Sequence, residues 1–177
     1  MNLDMPTTTG LPGVTLRAAD SADLAGLVAL ESVCFGTDCW SAQSWMDELE
    51  GDGRFVLVAV VDATQEGCRT FTDVVAAACF HVAGETAELY RVMTSPGWRG
   101  LGLATLMLGD GFDWAARQGA TEMLLEVRAG SGAMALYTDV GFTPLYERTN
   151  YYGPGQHALV MRCGLDGLGA LEEADDE

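Results

Sequence analysis

Arg99, Gly100, Gly102 and Ala104 crowd into one short stretch of this 177-residue chain. An apolar, β-favouring run, Leu89–Thr94, precedes them, and a helical pattern follows to about Gln118. Ser95-Pro96-Gly97 breaks the strand, since proline fixes φ and glycine permits a turn. A glycine-rich turn feeding a helix leaves several backbone N–H groups aimed at one point, where the helix dipole also favours an anion. Small residues let that backbone approach a phosphate, and Arg99 adds a fork of donors. The chemistry is that of a pyrophosphate cradle; the alternative is a plain tight turn. Two other cradles are testable by spelling. A P-loop needs Gly-Lys-Ser/Thr, and this chain contains no lysine. The dinucleotide fingerprint G-x-G-x-x-G fits at Gly100 and Gly102, but Thr105 stands where its third glycine belongs.

Two polar residues further on could do proton chemistry. Glu126 interrupts the apolar run Met123-Leu-Leu-Glu-Val-Arg128. It reads either as an edge glutamate, or one paired with Arg128, or as a partly buried carboxylate with a raised pKa that acts as a general base. Tyr137, in Ala135-Leu-Tyr137, reads either as a core tyrosine or as a proton donor. The five cysteines, at 34, 39, 68, 79 and 163, fit no zinc spacing. They are expected to be thiols in a reducing cytosol, with no metal.

The elements that must position these groups follow from periodicity and turn chemistry. Val14–Arg17 alternates as a first strand. Asp20-Ser21 offers an N-cap, with Asp23 in the first turn, ahead of Leu24, Leu27, Val28 and Leu30 at helical spacing. A loop at Cys34–Asp38 leads to Ser41, which caps a second helix ending near Leu49. Strands are expected at Arg54–Val61 and Thr70–His81, around a polar loop at Asp62–Arg69, and then in the stretch that carries the glycine turn. The next helix places Leu103, Leu106, Met107 and Trp114 on one stripe, with Gly109 and Gly111 weakening it. Met123–Val127 reads as a buried central strand and Gly132–Asp139 as a short helix. Phe142–Arg148 and His157–Cys163 pair as a hairpin with Tyr151-Tyr152 at its tip. This order predicts an α+β fold: a mixed, mostly antiparallel sheet with flanking helices and one parallel strand pair around the glycine-turn helix.

Composition bounds the rest. The length suits one domain over residues 13–165, with a flexible N-terminus at 1–12 and an acidic, disordered tail at 166–177. Net charge is −17, with nine arginines as the only basic residues besides histidine. That counts against direct nucleic-acid binding and permits a basic partner. No apolar run reaches membrane-spanning length and no basic signal start is present, so no membrane role and a cytoplasmic location are expected.

The spelling of several segments carries a resemblance. Arg99, Gly102 and Ala104 fit the acetyl-CoA motif [Q/R]-x-x-G-x-[G/A]. Leu125-Glu-Val-Arg128, Ala135-Leu-Tyr137, Val140-Gly-Phe142, Arg148-Thr-Asn-Tyr-Tyr152 and Ala158-Leu-Val-Met161 then follow in order. Together they resemble the RimI-type ribosomal-protein-alanine N-acetyltransferases of the GNAT superfamily, over roughly residues 14–165. The resemblance implies a GNAT fold and acetyl-CoA as co-substrate. It implies Glu126 as general base and Tyr137 as general acid. It also implies Val92, Met93 and Thr94 as the backbone segment for pantetheine and thioester, and Gly100, Leu101, Gly102, Leu103, Ala104 and Thr105 around the pyrophosphate. Where the family usually carries a cofactor-contacting asparagine, this chain reads Arg128-Ala-Gly-Ser-Gly132, leaving Ser131 as the polar residue available. The implied acceptor is a protein N-terminal α-amine, of a basic ribosomal protein, with Tyr151 and Tyr152 lying over the acceptor's access. A lysine side chain or a small-molecule amine is the alternative acceptor, and a non-enzymatic CoA-binding module is a third reading.

Overall fold

The computed structural model describes residues 7–65 and 68–165. The expectations for residues 1–6 and for the tail at 166–177 lie outside the described residues. Thr7–Thr8 (β1) pairs antiparallel with Val14–Ala18 (β2), so regular structure begins before residue 13. The elements that follow are α1 (Leu24–Phe35), α2 (Ala42–Glu50), β3 (Arg54–Gln65), β4 (Cys68–Ala83), β5 (Thr86–Thr94), α3 (Leu103–Arg117), β6 (Glu122–Arg128), α4 (Ala133–Asp139), β7 (Thr143–Gly153) and β8 (Gln156–Gly164). The strands run β1-β2-β3-β4-β5-β6-β8-β7 across one mixed sheet. Its parallel pair is β5–β6, flanking α3 in sequence as expected. The chain divides into two compact units: residues up to Cys79 with Arg91–Met107, and Phe80–Tyr90 with the chain from Leu108 onward.

The first unit opens with capping that the sequence announces. Asp20 accepts from Ala22 N at 2.7 Å, Asp23 accepts from Asp20 N at 3.0 Å, and the Arg17 guanidinium grips Asp23 at 2.6 and 2.8 Å. Burial opposes ionisation of Asp23, but Arg17 and the Asp20 amide outweigh it and hold the carboxyl below its ordinary range. Ser41 Oγ accepts from Ser44 N at 3.0 Å and starts α2. Leu27, Leu30, Trp45, Val56, Val58, Val60, Ala77, Cys79 and Met93 form this unit's core. One expectation fails here. The polar loop at 62–69 is instead mostly strand, with β3 running to Gln65 and β4 resuming at Cys68. An antiparallel ladder is held by its backbone, so polarity alone does not end it.

In the second unit β6 is the central strand, paired from Glu122↔Gly164 to Arg128↔Ala158 with β8 and from Thr86↔Glu122 to Leu89↔Leu125 with β5. On α3 the buried stripe runs through Leu103, Met107, Gly111 and Trp114, whereas Leu106 is 40% exposed and falls off it. The stripe closes through a glycine, not through the leucine that the spacing predicts. A Cβ at Gly111 would lie 2.2 Å from Phe80 Cζ, and Phe80 is itself fully buried beside Trp114. The helix gives up propensity there so that an aromatic ring can approach its backbone. Tyr151 and Tyr152 are also displaced from expectation. They lie within β7, because the strands extend to a tight turn at Pro154-Gly155.

Gly111→Ala is expected to lower stability by about 1–3 kcal/mol through overpacking. Gly109→Ala, with nothing within 4 Å of the new Cβ, is expected to raise it by ~1 kcal/mol through helix propensity. Urea unfolding of both variants checks this; a gain at both positions would show that the Phe80 contact imposes no constraint.

Candidate active site

The glycine turn belongs to the first unit. β5 ends at Thr94, a single 3-10 turn covers Pro96–Trp98, and Trp98 N donates to Ser95 O at 2.8 Å. Gly100 and Gly102 then take φ of 75° and 81°, the left-handed region that glycine enters freely. Leu106 N donates to Gly102 O at 3.0 Å, the first bond of α3, so the amides of Leu103, Ala104 and Thr105 precede any intrahelical acceptor. No atom lies within 4 Å of where a Cβ would stand on Gly97, Gly100 or Gly102. The turn is open, with its amides gathered at the start of a four-turn helix. These residues fit a pyrophosphate group.

Arg99 does something the motif alone does not reveal. Its Nε donates to Thr94 O at 3.0 Å, and Cys34 Sγ donates to the same carbonyl at 3.5 Å. The arginine therefore staples the turn to the end of β5 while its guanidinium stays exposed. Met93 is buried in the core and offers a ligand only its backbone, while Val92 and Thr94 are half-buried. The β5–β6 register ends at Leu89↔Leu125, so Val92–Thr94 lie beyond that ladder.

The second unit holds the titratable candidates. Register fixes which of them share a sheet face. Glu126, Val160 and Tyr146 form one row across β6, β8 and β7, and Arg128, Ala158 and Arg148 form the next. Of the readings open for Glu126, the structure gives a side chain 30% exposed and ion-paired with Arg148 Nη1 at 2.6 Å. β6 is covered on one face only there, with Val127 buried and Glu126 open. Arg128 is not its partner. That guanidinium hydrogen-bonds Gln156 Oε1 and stacks 4.9 Å from the Tyr152 ring centroid.

Tyr137 is buried, packed edge-on to Phe142 with ring centroids 6.0 Å apart. Burial, with a smaller contribution from Tyr152, pushes its hydroxyl up to about 12. Tyr152 in turn packs edge-on to Tyr151 at 5.0 Å. This one unit thus brings together Glu126, Tyr137, Tyr151 and Tyr152. Ser131 sits at the start of α4, its amide donating to Arg128 O at 3.1 Å and its Oγ buried without a hydrogen-bond partner. Such orphaned buried hydroxyls are uncommon in folded proteins. Sequence reasoning missed Arg148 and Gln156. Only the β7–β8 register, which shifts between Arg148 and Gly153 around Asn150 at φ 57°, places them.

A spectrophotometric titration of tyrosine checks the Tyr137 environment. An ionisation at about pH 12 is expected in the native protein and should vanish in Tyr137→Phe. The unfolded chain releases the same proton near ~10, so this group's contribution to stability is full below that pH and is lost as pH rises through the folded value. A variant with an unchanged late ionisation would contradict the burial.

The acetyltransferase (GNAT) family profile matches residues 25–142, which include the glycine turn, Glu126 and Tyr137. The [ribosomal protein bS18]-alanine N-acetyltransferase of Haemophilus influenzae is 34% identical over 85 residues, 46% of this chain and 58% of that relative. The chain thus spans little more than half the length of that curated relative. Among solved structures, the ribosomal-protein-S18-alanine N-acetyltransferase from Escherichia coli superposes with a TM-score of 0.71 at 24% identity, covering 86% of this chain and 94% of that one. An aminoglycoside 6'-N-acetyltransferase complexed with coenzyme A also reaches 0.71, at 12% identity over 85% and 96% of the two chains. These likenesses share a fold across different acceptors. With its profile match spanning most of the sequence, the chain belongs to the GNAT family of acetyltransferases.

Proposed function

We propose that this protein transfers an acetyl group from acetyl-CoA to the α-amine of a protein N-terminus, of the ribosomal-protein alanine type, by direct attack. The observation that carries the reading is Glu126, a solvent-reached carboxylate on the same sheet face as Arg148 and the aromatic side chains of β7. An α-amine of pKa ~7.7–8.0 is roughly a tenth neutral at pH 7, whereas lysine at ~10.4 is roughly 0.04% neutral. An exposed carboxylate that drains one proton, through water, suffices for the first and not for the second. Bound acetyl-CoA would supply an acyl group activated as a thioester. Gly100–Thr105 would hold its pyrophosphate through backbone amides, and Ser131 would offer its unpartnered hydroxyl. The amides of Val92–Thr94 would meet the negative charge that develops on the carbonyl oxygen under attack. Tyr137, its proton kept in place by burial, would give that proton to the departing thiolate. Tyr151 and Tyr152 would pack a small first side chain of the acceptor.

The charge of −17 suits a basic acceptor protein and speeds its encounter. The relative from H. influenzae has an activity of this class in its name, which supports the same reading here. Acetylation of a small-molecule amine is the second reading, favoured by the equal structural likeness to the aminoglycoside enzyme. Thiol release from acetyl-CoA against a panel of acceptors separates them. Peptides beginning with alanine or serine are expected to give higher kcat/KM than an N-blocked peptide with an internal lysine or a free polyamine. A preference for the polyamine or the blocked lysine peptide would overturn the assignment.

A further inference from the structure

Arg148 makes a contact that an ordinary surface arginine would not. It lies on β7, the edge strand, yet its partner Glu126 lies on β6, with β8 between them. The register puts Ala158 beside Arg148 and Val160 beside Glu126, both buried although they sit on the same face as these charged groups. The small Ala158 stands between Arg148 and Arg128 in the register, and the Arg148 guanidinium reaches the carboxylate in the neighbouring row. Meanwhile Arg128, on Glu126's own strand and face, is engaged by Gln156 and Tyr152. The nearer cation is diverted and the farther one is used.

The same guanidinium does more than pair. Its carbon stands 5.4 Å from the Tyr151 ring centroid and 5.9 Å from that of Tyr146, and Nη2 donates to the Tyr146 hydroxyl at 3.4 Å. One planar group thus joins the carboxylate to two aromatic rings of β7. Pairing through Oε1 removes rotamer freedom from a long glutamate side chain and leaves Oε2 to take a proton.

We propose that Arg148 is a positioning residue for acetyl transfer, holding the Glu126 carboxylate in a fixed orientation and aligning it with the Tyr151 ring. The inference rests on the reading of Glu126 as the base. A surface ion pair contributes little to stability, so removing it is expected to change turnover without unfolding the chain.

A double-mutant cycle tests this, with an alanine-initiated peptide as acceptor. Arg148→Ala is expected to lower kcat about 10-fold, with KM for acetyl-CoA and the melting temperature essentially unchanged. Arg148→Lys, which keeps the charge but not the planar fork, is expected to recover only part of the loss. In a Glu126→Gln background, Arg148→Ala is expected to cost less than about 2-fold, because the group it orients is already disabled. An equal loss in both backgrounds, or no loss in the wild-type background, overturns the proposal while leaving the base intact. Wild-type turnover in Glu126→Gln alone would instead remove the base reading, and this proposal with it.

Discussion

A site built from backbone amides works only if the chain is forced to present them, and here two left-handed glycines impose that geometry. Gly100 and Gly102 swing the chain from the end of β5 into α3 so that the amides of Leu103–Thr105 come before the first bond of the helix. A side chain at either position would meet no neighbour, so what excludes it is backbone strain of ~1–2 kcal/mol and the space a ligand needs. The Arg99 staple onto Thr94 O ties the turn to the strand that precedes it. Helix initiation and strand termination are here one local problem with one local solution.

A second constraint lies behind that strand. Glu31 is fully buried on α1, with Arg91 Nη2 at 3.1 Å and the Trp40 amide donating at 3.0 Å to the same oxygen. Arg91 also donates to Asp38 O at 3.0 Å, and its guanidinium lies 4.3 Å from the Phe35 ring centroid and 4.7 Å from that of Trp40. One buried pair therefore fixes the turn between α1 and α2 against β5, just ahead of Val92–Thr94. Removing Arg91 would leave the fully buried Glu31 without its charge partner, a loss of ~3–5 kcal/mol.

Local chemistry made much of this legible. The caps at Asp20 and Ser41, the strand–turn–helix around Gly100 and Gly102, and the alternation of β2 each follow from nearest-neighbour rules. What stayed hidden depends on pairing between distant segments. The apolar neighbours of Glu126 could not separate an edge glutamate from a partly buried one, because in a strand the flanking residues point to the other face. Tyr151 and Tyr152 looked like a hairpin tip because the strand signal fades at Arg148, yet β7 continues past an irregular register to Gly153. Glu31 lies on α1 with no local sequence signal that it is buried. Its burial is visible only once Arg91, from a remote strand, is placed beside it.

Because the family fold serves acceptors as different as a protein N-terminus and an aminoglycoside, the donor site is where this account is most exposed to test. Titration calorimetry of acetyl-CoA into the wild-type protein and Gly102→Val addresses it directly, with a melting curve showing that the variant is folded. The account predicts saturable binding to the wild type, binding lost in the variant, and no comparable affinity of the wild type for NAD. Undiminished binding of acetyl-CoA by Gly102→Val, or equal binding of NAD by the wild type, would contradict it.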